Sequence, residues 1–325
     1  MLTKIAFVSI LTNIEQYCDL AITTITSYIL TNSTKIDWVI LYNDNLEKIE
    51  QRLKYLQCDL VNLKFIKLYN VNFELHDANS ISITRDYCYK NFISRIFNIN
   101  SLKEEYDLVC PCDLDILFIK DLKDKFDNID FEYQMIGCLE KSDYTETTLS
   151  MKEKKQCTPF LNKDFYINFG FAILISKNID VDLVSLLLKF NNENKLKYFV
   201  TQEQSFFAQV LDKILVDNTL QLFMWNRHMF PIQIPTYYIV HFSVQQFLLE
   251  KININDINIF SHKHVMIIFY INLYKNIINK CKNLSSEFID RINYNCNVIS
   301  KIKEKYPIMV EYMQKFYNLP NIPCA

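Results

Sequence analysis

Glycine is almost missing from this chain. A protein of this length ordinarily carries roughly 23 glycines, at about 7% of residues; this one has two, Gly137 and Gly170, among 325. Phosphate loops of the dinucleotide-binding or P-loop kind need several glycines at fixed spacing, so NAD enzymes of the usual type, P-loop kinases and NTPases are disfavoured. Close cysteine pairs are missing too. The ten cysteines run from Cys18 to Cys324 without one C-x-x-C, and Cys110 and Cys112 merely flank a proline. A zinc ribbon needs two close pairs, and scattered thiols suit a reducing compartment, so the expected location is the cytoplasm. There is no charge excess: the net charge is −2, which argues against a surface built for nucleic acid. Long apolar runs are lacking. The most apolar late stretch, Val265 to Tyr274, is about ten residues against the ~20 that span a bilayer. The opening MLTKIAFVSI turns polar at once, so no signal peptide is expected.

What is present is ample core material. Half the residues are hydrophobic and 22% are charged, which rules out wholesale disorder. The length suits one large α/β domain with an appendage, or two compact domains. Short apolar runs at Ile5–Ser9, Asp37–Tyr42, Leu63–Leu68 and Tyr106–Cys110 read as strands. Helical patterns at Ala21–Leu30, Asn45–Leu56 and Thr84–Phe97 separate them. Further strands are expected at Tyr133–Cys138, Tyr166–Ser176 and Tyr237–Phe242, and a helix at Val181–Phe190 capped by Asn178 or Asp180. This alternation predicts a Rossmann-type mixed, mainly parallel sheet flanked by helices. Residues 1–245 form that domain; 246–325 form a helical, basic and aromatic-rich extension. From Gln245 onward the chain has ten Lys/Arg against six Asp/Glu. Such a tail suits either a helical cap that closes the core or a peripheral contact with an anionic membrane surface.

The strongest chemical signal is YDLVCPCDLDILFIKDL, Tyr106 to Leu122. A buried strand runs into Asp113 and Asp115. Two carboxylates at a strand's end converge when the turn breaks strict alternation, and hard oxygen donors there suit Mg²⁺ or Mn²⁺ with phosphate oxygens. Open α/β sheets also bind ligands off the carboxyl ends of their strands. Spacing alone is weak, because two Asp two apart occur by chance about once in such a chain. The sequence supplies its own decoy: Asp180 and Asp182 have the same spacing at a helix start, where carboxylates cap helices.

Several segments, in order, resemble a GT-A glycosyltransferase, and most closely the retaining, DxD-containing family 8. IAFVSILTN, with Asn13, is similar to the family's nucleotide-receiving first strand. Arg95 in KNFISRIF matches a helical Arg that approaches the donor. VCPCDLDILFIKDL resembles the DxD segment, YINFGFAILIS the Asn-x-Gly strand with Asn168 and Gly170, and TQEQSFF the Asp-Gln pair with Glu203 and Gln204. YYIVHFS resembles the late strand that ends in a metal-binding His, His241. The resemblance covers residues 1–245. It implies that Asp113, Asp115 and His241 hold Mn²⁺ or Mg²⁺, that Asn168, Gly170, Asn13 and Glu140 lie about the donor, and that Gln204, Glu203 and Arg95 act at the reacting sugar. The implied reaction moves a hexose from a nucleotide diphosphate sugar, such as a UDP-sugar, to a glycan or lipid-linked acceptor with retention.

This chain departs from the family in places. Glu203 stands where the family has Asp, and the Gly and Lys that follow the family's His are missing, so either Lys251 or a tail residue replaces them or the grip on the diphosphate is weaker. Each candidate has a plain structural alternative. His241 could be a satisfied core histidine, Gly170 a strand bulge, Arg95 a partner of a surface carboxylate, and Glu203 and Gln204 helix caps. His262 and His264 read as solvated. Two other functions compete: a catalytically silent binding protein, and a haloacid dehalogenase-like phosphatase, whose Asp-x-Asp also follows an apolar strand.

Overall fold

The computed structural model describes residues 3–12, 14–68, 83–141, 166–193, 202–223, 237–242, 248, 250–253, 271–308 and 310–311. Its strands are β1 (Ile5–Leu11), β2 (Ile36–Tyr42), β3 (Val61–Lys67), β4 (Leu108–Pro111), β5 (Ile116–Phe118), β6 (Met135–Lys141), β7 (Tyr166–Ile175), β8 (Ile214–Val216), β9 (Gln221–Phe223) and β10 (Ile239–His241). Helices are α1 (Ile14–Thr31), α2 (Leu46–Leu53), α3 (Ile83–Leu102), α4 (Lys123–Asp127), α5 (Leu183–Asn192), α6 (Gln202–Val210) and α7 (Ser286–Lys305); residues 271–278 are also helical.

Seven strands form the main sheet in the order β3-β2-β1-β4-β7-β6-β8. The β3-β2-β1-β4 half is parallel, β7 runs antiparallel to both β4 and β6, and β8 is parallel to β6. The inner strands of the parallel half, β1, β2 and β4, are nearly continuous apolar runs because both faces are covered, whereas the edge strand β3 alternates apolar residues with Asn62 and Lys64 and is only partly buried. In β1, Ile5 and Phe7 belong to one apolar cluster while Ala6 and Val8 belong to the other. Phe7 is the centre of an aromatic nest with Tyr28, Trp38, Phe118 and Phe171, at centroid distances of 5.2, 5.3, 5.8 and 5.3 Å. Strand order reverses at β1, with β2 on one side and β4 on the other. That opens a crevice at the carboxyl ends of β1 and β4, where Asp113 follows.

Two expectations need correction. Tyr237–Phe242 does not extend the main sheet. Its core, β10, pairs antiparallel with β5 and parallel with β9 in a separate three-stranded sheet. The reason is the short apolar run after the Asp pair: β5 leaves the main sheet and gives β10 a free edge. The helix after β7 is capped neither by Asn178 nor by Asp180. Asn178 lies in a 3-10 turn, and its amide donates to Phe131 O and Tyr133 O. Asp182 caps α5 instead, accepting from the backbone N–H groups of Val184 (3.0 Å) and Ser185 (3.3 Å).

The C-terminal segments share the core. Ile271, Tyr274, Ile277, Phe288, Ile292 and Ile299 join the same apolar cluster as Phe7 and Trp38. The start of α7 is tied to the first helix: Asp19, 1% exposed, accepts from Ser285 N (2.9 Å), Ser285 Oγ (2.6 Å) and Arg52. Among the described residues, no helix is long and apolar enough to cross a membrane.

Candidate metal and donor site

The turn between β4 and β5 carries Asp113 and Asp115, and every residue of it is anchored. Asp113 N donates to Gly170 O (2.8 Å), and Phe242 N donates to Asp115 O (2.9 Å). Thr24 Oγ1 on α1 lies 2.7 Å from Leu114 O and 2.9 Å from Ile116 O. Just upstream, the buried Trp38 indole donates to Ser9 Oγ (3.0 Å), whose hydroxyl donates to Cys112 O (2.6 Å). Ser27 on α1 and Asn32 just past its end continue the hold, with Ser27 Oγ accepting from Phe118 N and Asn32 Oδ1 from Leu122 N. Thr24, Ser27 and Asn32 were not singled out from the sequence. Thr24 and Ser27, three apart on a helix otherwise buried, carried the signal, since a polar residue inside a core must find a partner.

This anchoring aims both carboxylates at one spot. Asp113, Asp115 and His241 each place a ligand atom within 4.8 Å of the others. His241 Nε2 lies 3.3 Å from Asp115 Oδ1 and 3.8 Å from Asp113 Oδ2. Both exceed the ~2.7–2.9 Å of a charge-assisted N–H···O bond. The other ring nitrogen, Nδ1, is 3.0 Å from Asn168 Oδ1. That oxygen also accepts from Gly170 N (2.9 Å) and Gln221 Nε2 (2.8 Å), so it acts as an acceptor and Nδ1 carries the proton. In the neutral ring, the form that ligates a cation, Nε2 then turns its lone pair toward the two carboxylates. Three acceptors facing one another is a donor set that a hard or borderline divalent cation satisfies, so these residues fit one.

Gly170 is required here by space. A Cβ at that position would lie 2.1 Å from His241 Cε1 and 2.3 Å from Nδ1. The group that needs this space is a protein side chain, the His241 ring. The bulge alternative also holds: from Gly137↔Ala172 to Leu139↔Ile167, β7 advances five residues while β6 advances two. That irregularity lets Asn168 and Gly170 leave the β6 ladder and face the Asp turn.

Arg95, on α3, has a buried side chain and joins two parts of the site. Its Nη1 donates to Asp113 Oδ1 (3.0 Å) and Glu203 Oε1 (3.0 Å), and its Nη2 to Phe169 O (3.2 Å). The two carboxylates hold its pKa above the ordinary value despite burial, which acts the other way. The plain alternative for Arg95, a surface carboxylate, is not what it meets: its partners are Asp113 and Glu203 within the candidate site. Glu203 lies at the start of α6 with 17% of its side chain exposed. Burial is the main cause that pushes its carboxyl up to about 7, against the pull of Arg95. Its second oxygen, Oε2, is buried without a hydrogen-bond partner, and so are Gln204 Oε1, Arg95 Nε and Gln221 Oε1. Unpaired buried polar atoms are costly, and those of Glu203, Gln204 and Arg95 are what a hydroxyl-bearing ligand would satisfy.

The remaining expected positions are less informative. Asn13 lies outside the described residues, as do His262 and His264, and Glu140 is described by its backbone in β6 alone. Lys251 is exposed and holds its ammonium 5.3 Å above the Tyr294 ring on α7. Gln221, fully buried on β9, escaped the sequence reading because a lone Gln in a short polar stretch carries no spacing signal.

No protein-family model and no curated protein matches the sequence. Solved structures do. Two structures of LgtC, one described as the galactosyltransferase in complex with donor and acceptor sugar analogs, superpose with TM-scores of 0.58 and 0.54 at 13% identity. They cover 87% and 88% of this chain and 98% and 99% of theirs. Mouse xyloside xylosyltransferase 1 superposes at 0.52, with 13% identity over 73% of this chain and 97% of its own. WbbM, a bifunctional glycosyltransferase, superposes at 0.51, with 15% identity over 75% of this chain; the match spans 46% of the WbbM chain, less than half. At such identities the likeness concerns architecture, and the architecture of this mixed seven-stranded sheet with its flanking helices is that of the GT-A glycosyltransferases.

Proposed function

We propose that this chain is a metal-dependent glycosyltransferase that moves a hexose from a nucleotide diphosphate sugar, a UDP-sugar in the first instance, to a glycan or lipid-linked acceptor with retention. The observation that carries the reading is the convergence of Asp113, Asp115 and His241 within 4.8 Å beside the unpartnered buried oxygens of Glu203 and Gln204. This convergence lies in the crevice where open α/β sheets receive ligands. LgtC, the fold neighbour with donor and acceptor analogs, is consistent with such a ligand pair. The phosphatase alternative loses to the GT-A architecture.

Asp113, Asp115 and His241 would hold Mn²⁺ or Mg²⁺. Bound there, the cation supplies positive charge to the departing diphosphate. Asp113 divides its two oxygens: Oδ1 receives Arg95 and Oδ2 faces His241. Arg95 thereby fixes the carboxylate's rotation and carries the same constraint to Glu203. Glu203 Oε2 and Gln204 Oε1 are acceptors suited to sugar hydroxyls, and a protonated Glu203 can also donate. Asn168 spends its side-chain oxygen on Gly170, Gln221 and His241. The exposed end of α7, with Lys301 and Lys305, and the exposed Tyr306 and Ile308 just past it form the surface on which a peripheral membrane contact would rest.

Titration calorimetry of UDP into the protein, with and without Mn²⁺, tests this reading. Binding that requires Mn²⁺ and disappears in an Asp113→Ala/Asp115→Ala variant is expected. Binding of GDP in place of UDP would change the donor and leave the site standing. No nucleotide binding with any divalent metal would sink the reading.

A further inference from the structure

We infer that Gln221 and Asn168 form a relay that fixes the tautomer and orientation of His241, making Gln221 a positioning residue for the metal site. The inference rests on the metal-site reading above. Gln221 is 0% exposed. Its Nε2 donates 2.8 Å to Asn168 Oδ1 and 3.3 Å to Asn168 O. Two acceptors on one residue determine which way the Gln221 amide points, since the flipped amide would set oxygen against oxygen.

The relay continues through Asn168. Because Gly170 N and Gln221 Nε2 both donate to its Oδ1, that atom is the carbonyl oxygen, and His241 Nδ1 at 3.0 Å meets it as a donor. A neutral imidazole protonated on Nδ1 has its lone pair on Nε2, the nitrogen nearest Asp115 and Asp113. Ring partners of a ligating histidine fix its tautomer and raise its basicity in this way. Two further observations support the assignment. Gln221 Oε1 is buried without a partner, so the side chain costs stability that an apolar residue of similar volume would not, and what it provides in return is the Nε2 contact. The backbone supports the geometry as well: Gln221 is opposite Ile239 in the parallel β9–β10 pair, two residues before His241.

The test uses the full chain labelled with ¹⁵N-histidine, with His241→Asn to identify the His241 signals. Ring-nitrogen spectra without metal, and Mn²⁺ affinity from the free-ion electron paramagnetic resonance signal, are then compared across variants. In the parent protein His241 is expected to be a single Nδ1–H tautomer. Gln221→Leu, and Gln221→Met should the first misfold, are expected to give a mixture of tautomers and 10- to 100-fold weaker Mn²⁺ binding. Asn168→Asp keeps an acceptor on Nδ1 and is expected to keep the tautomer, whereas Asn168→Leu is expected to lose it. An unchanged tautomer and unchanged Mn²⁺ affinity in both Gln221 variants would overturn the relay. Asp115→Ala separates the two claims. If it leaves Mn²⁺ binding intact, the metal reading fails, and the tautomer spectra still decide the relay.

Discussion

Two Asp-x-Asp segments of this chain have the same spacing and opposite fates. Asp180 and Asp182 follow a 3-10 turn, and Asp182 spends its carboxylate on the backbone of Val184 and Ser185 and on the Ser185 hydroxyl. It is an exposed helix cap. Asp113 and Asp115 follow a buried parallel strand, and their backbone is held by Thr24, Gly170 and Phe242, so the carboxylates meet His241. A helix start offers its own N–H groups to a carboxylate and consumes it; a turn whose backbone is already bonded elsewhere leaves the carboxylates for a ligand. Spacing alone does not distinguish the pairs, but the destination of the local backbone hydrogen bonds does.

The largest break in this comparison is expected from Asp115→Ala. It removes one of three converging ligands, and Mn²⁺ binding measured by calorimetry should fall below detection while the fold persists. Gly170→Ala should come next. The new Cβ would meet His241 Cε1 at 2.1 Å, so the ring must move, with Mn²⁺ affinity falling about 10- to 100-fold and overpacking costing about 1–3 kcal/mol in urea melts.

Glu203 gives a pH signature. The folded carboxyl holds its proton up to about 7, against an ordinary 4.5. Between those values the folded state binds more protons than the unfolded chain, so this group makes stability fall as pH rises through the window. Glu203→Gln should flatten that fall, by about 3 kcal/mol at most, as read from urea melts at pH 4.5 and 7.5. An unchanged slope would show that Glu203 is ionised throughout.

Thr24→Val keeps the shape and removes the donor to Leu114 O and Ile116 O. It should cost about 1–2 kcal/mol and weaken Mn²⁺ binding, because the Asp turn is loosened. The smallest effect sharpens the comparison from its other side: Asp182→Ala should cost about 1 kcal/mol of stability and leave metal affinity unchanged. If Asp182→Ala altered Mn²⁺ binding, the distinction between the two pairs would collapse.

Much of the fold was legible. The apolar runs at Ile5–Ser9 and Asp37–Tyr42 are strands because a parallel sheet covered on both faces needs continuous apolar segments, and the alternating Leu63–Leu68 run is the partly exposed edge strand beside them. The helix at Asn45–Leu56 showed its face in Ile49 and Leu53, both buried. Illegible were β5, too short to stand out, and the fate of Tyr237–Phe242, whose antiparallel partner β5 is distant in the chain.

By itself the sequence determined which chemistry was possible. It has two carboxylates after a buried strand, a histidine at the end of another, and almost no glycine, which singles out Gly170. Only the tertiary structure decided what those residues do together. Long-range contacts made Gly170 the space for an imidazole ring, gave Arg95 two site carboxylates, and joined Gln221 and Asn168 behind His241. The physical reason is that residue type and local pattern record burial and backbone conformation, both short-range. The direction of a lone pair or a buried proton depends instead on a partner that the chain brings from far away.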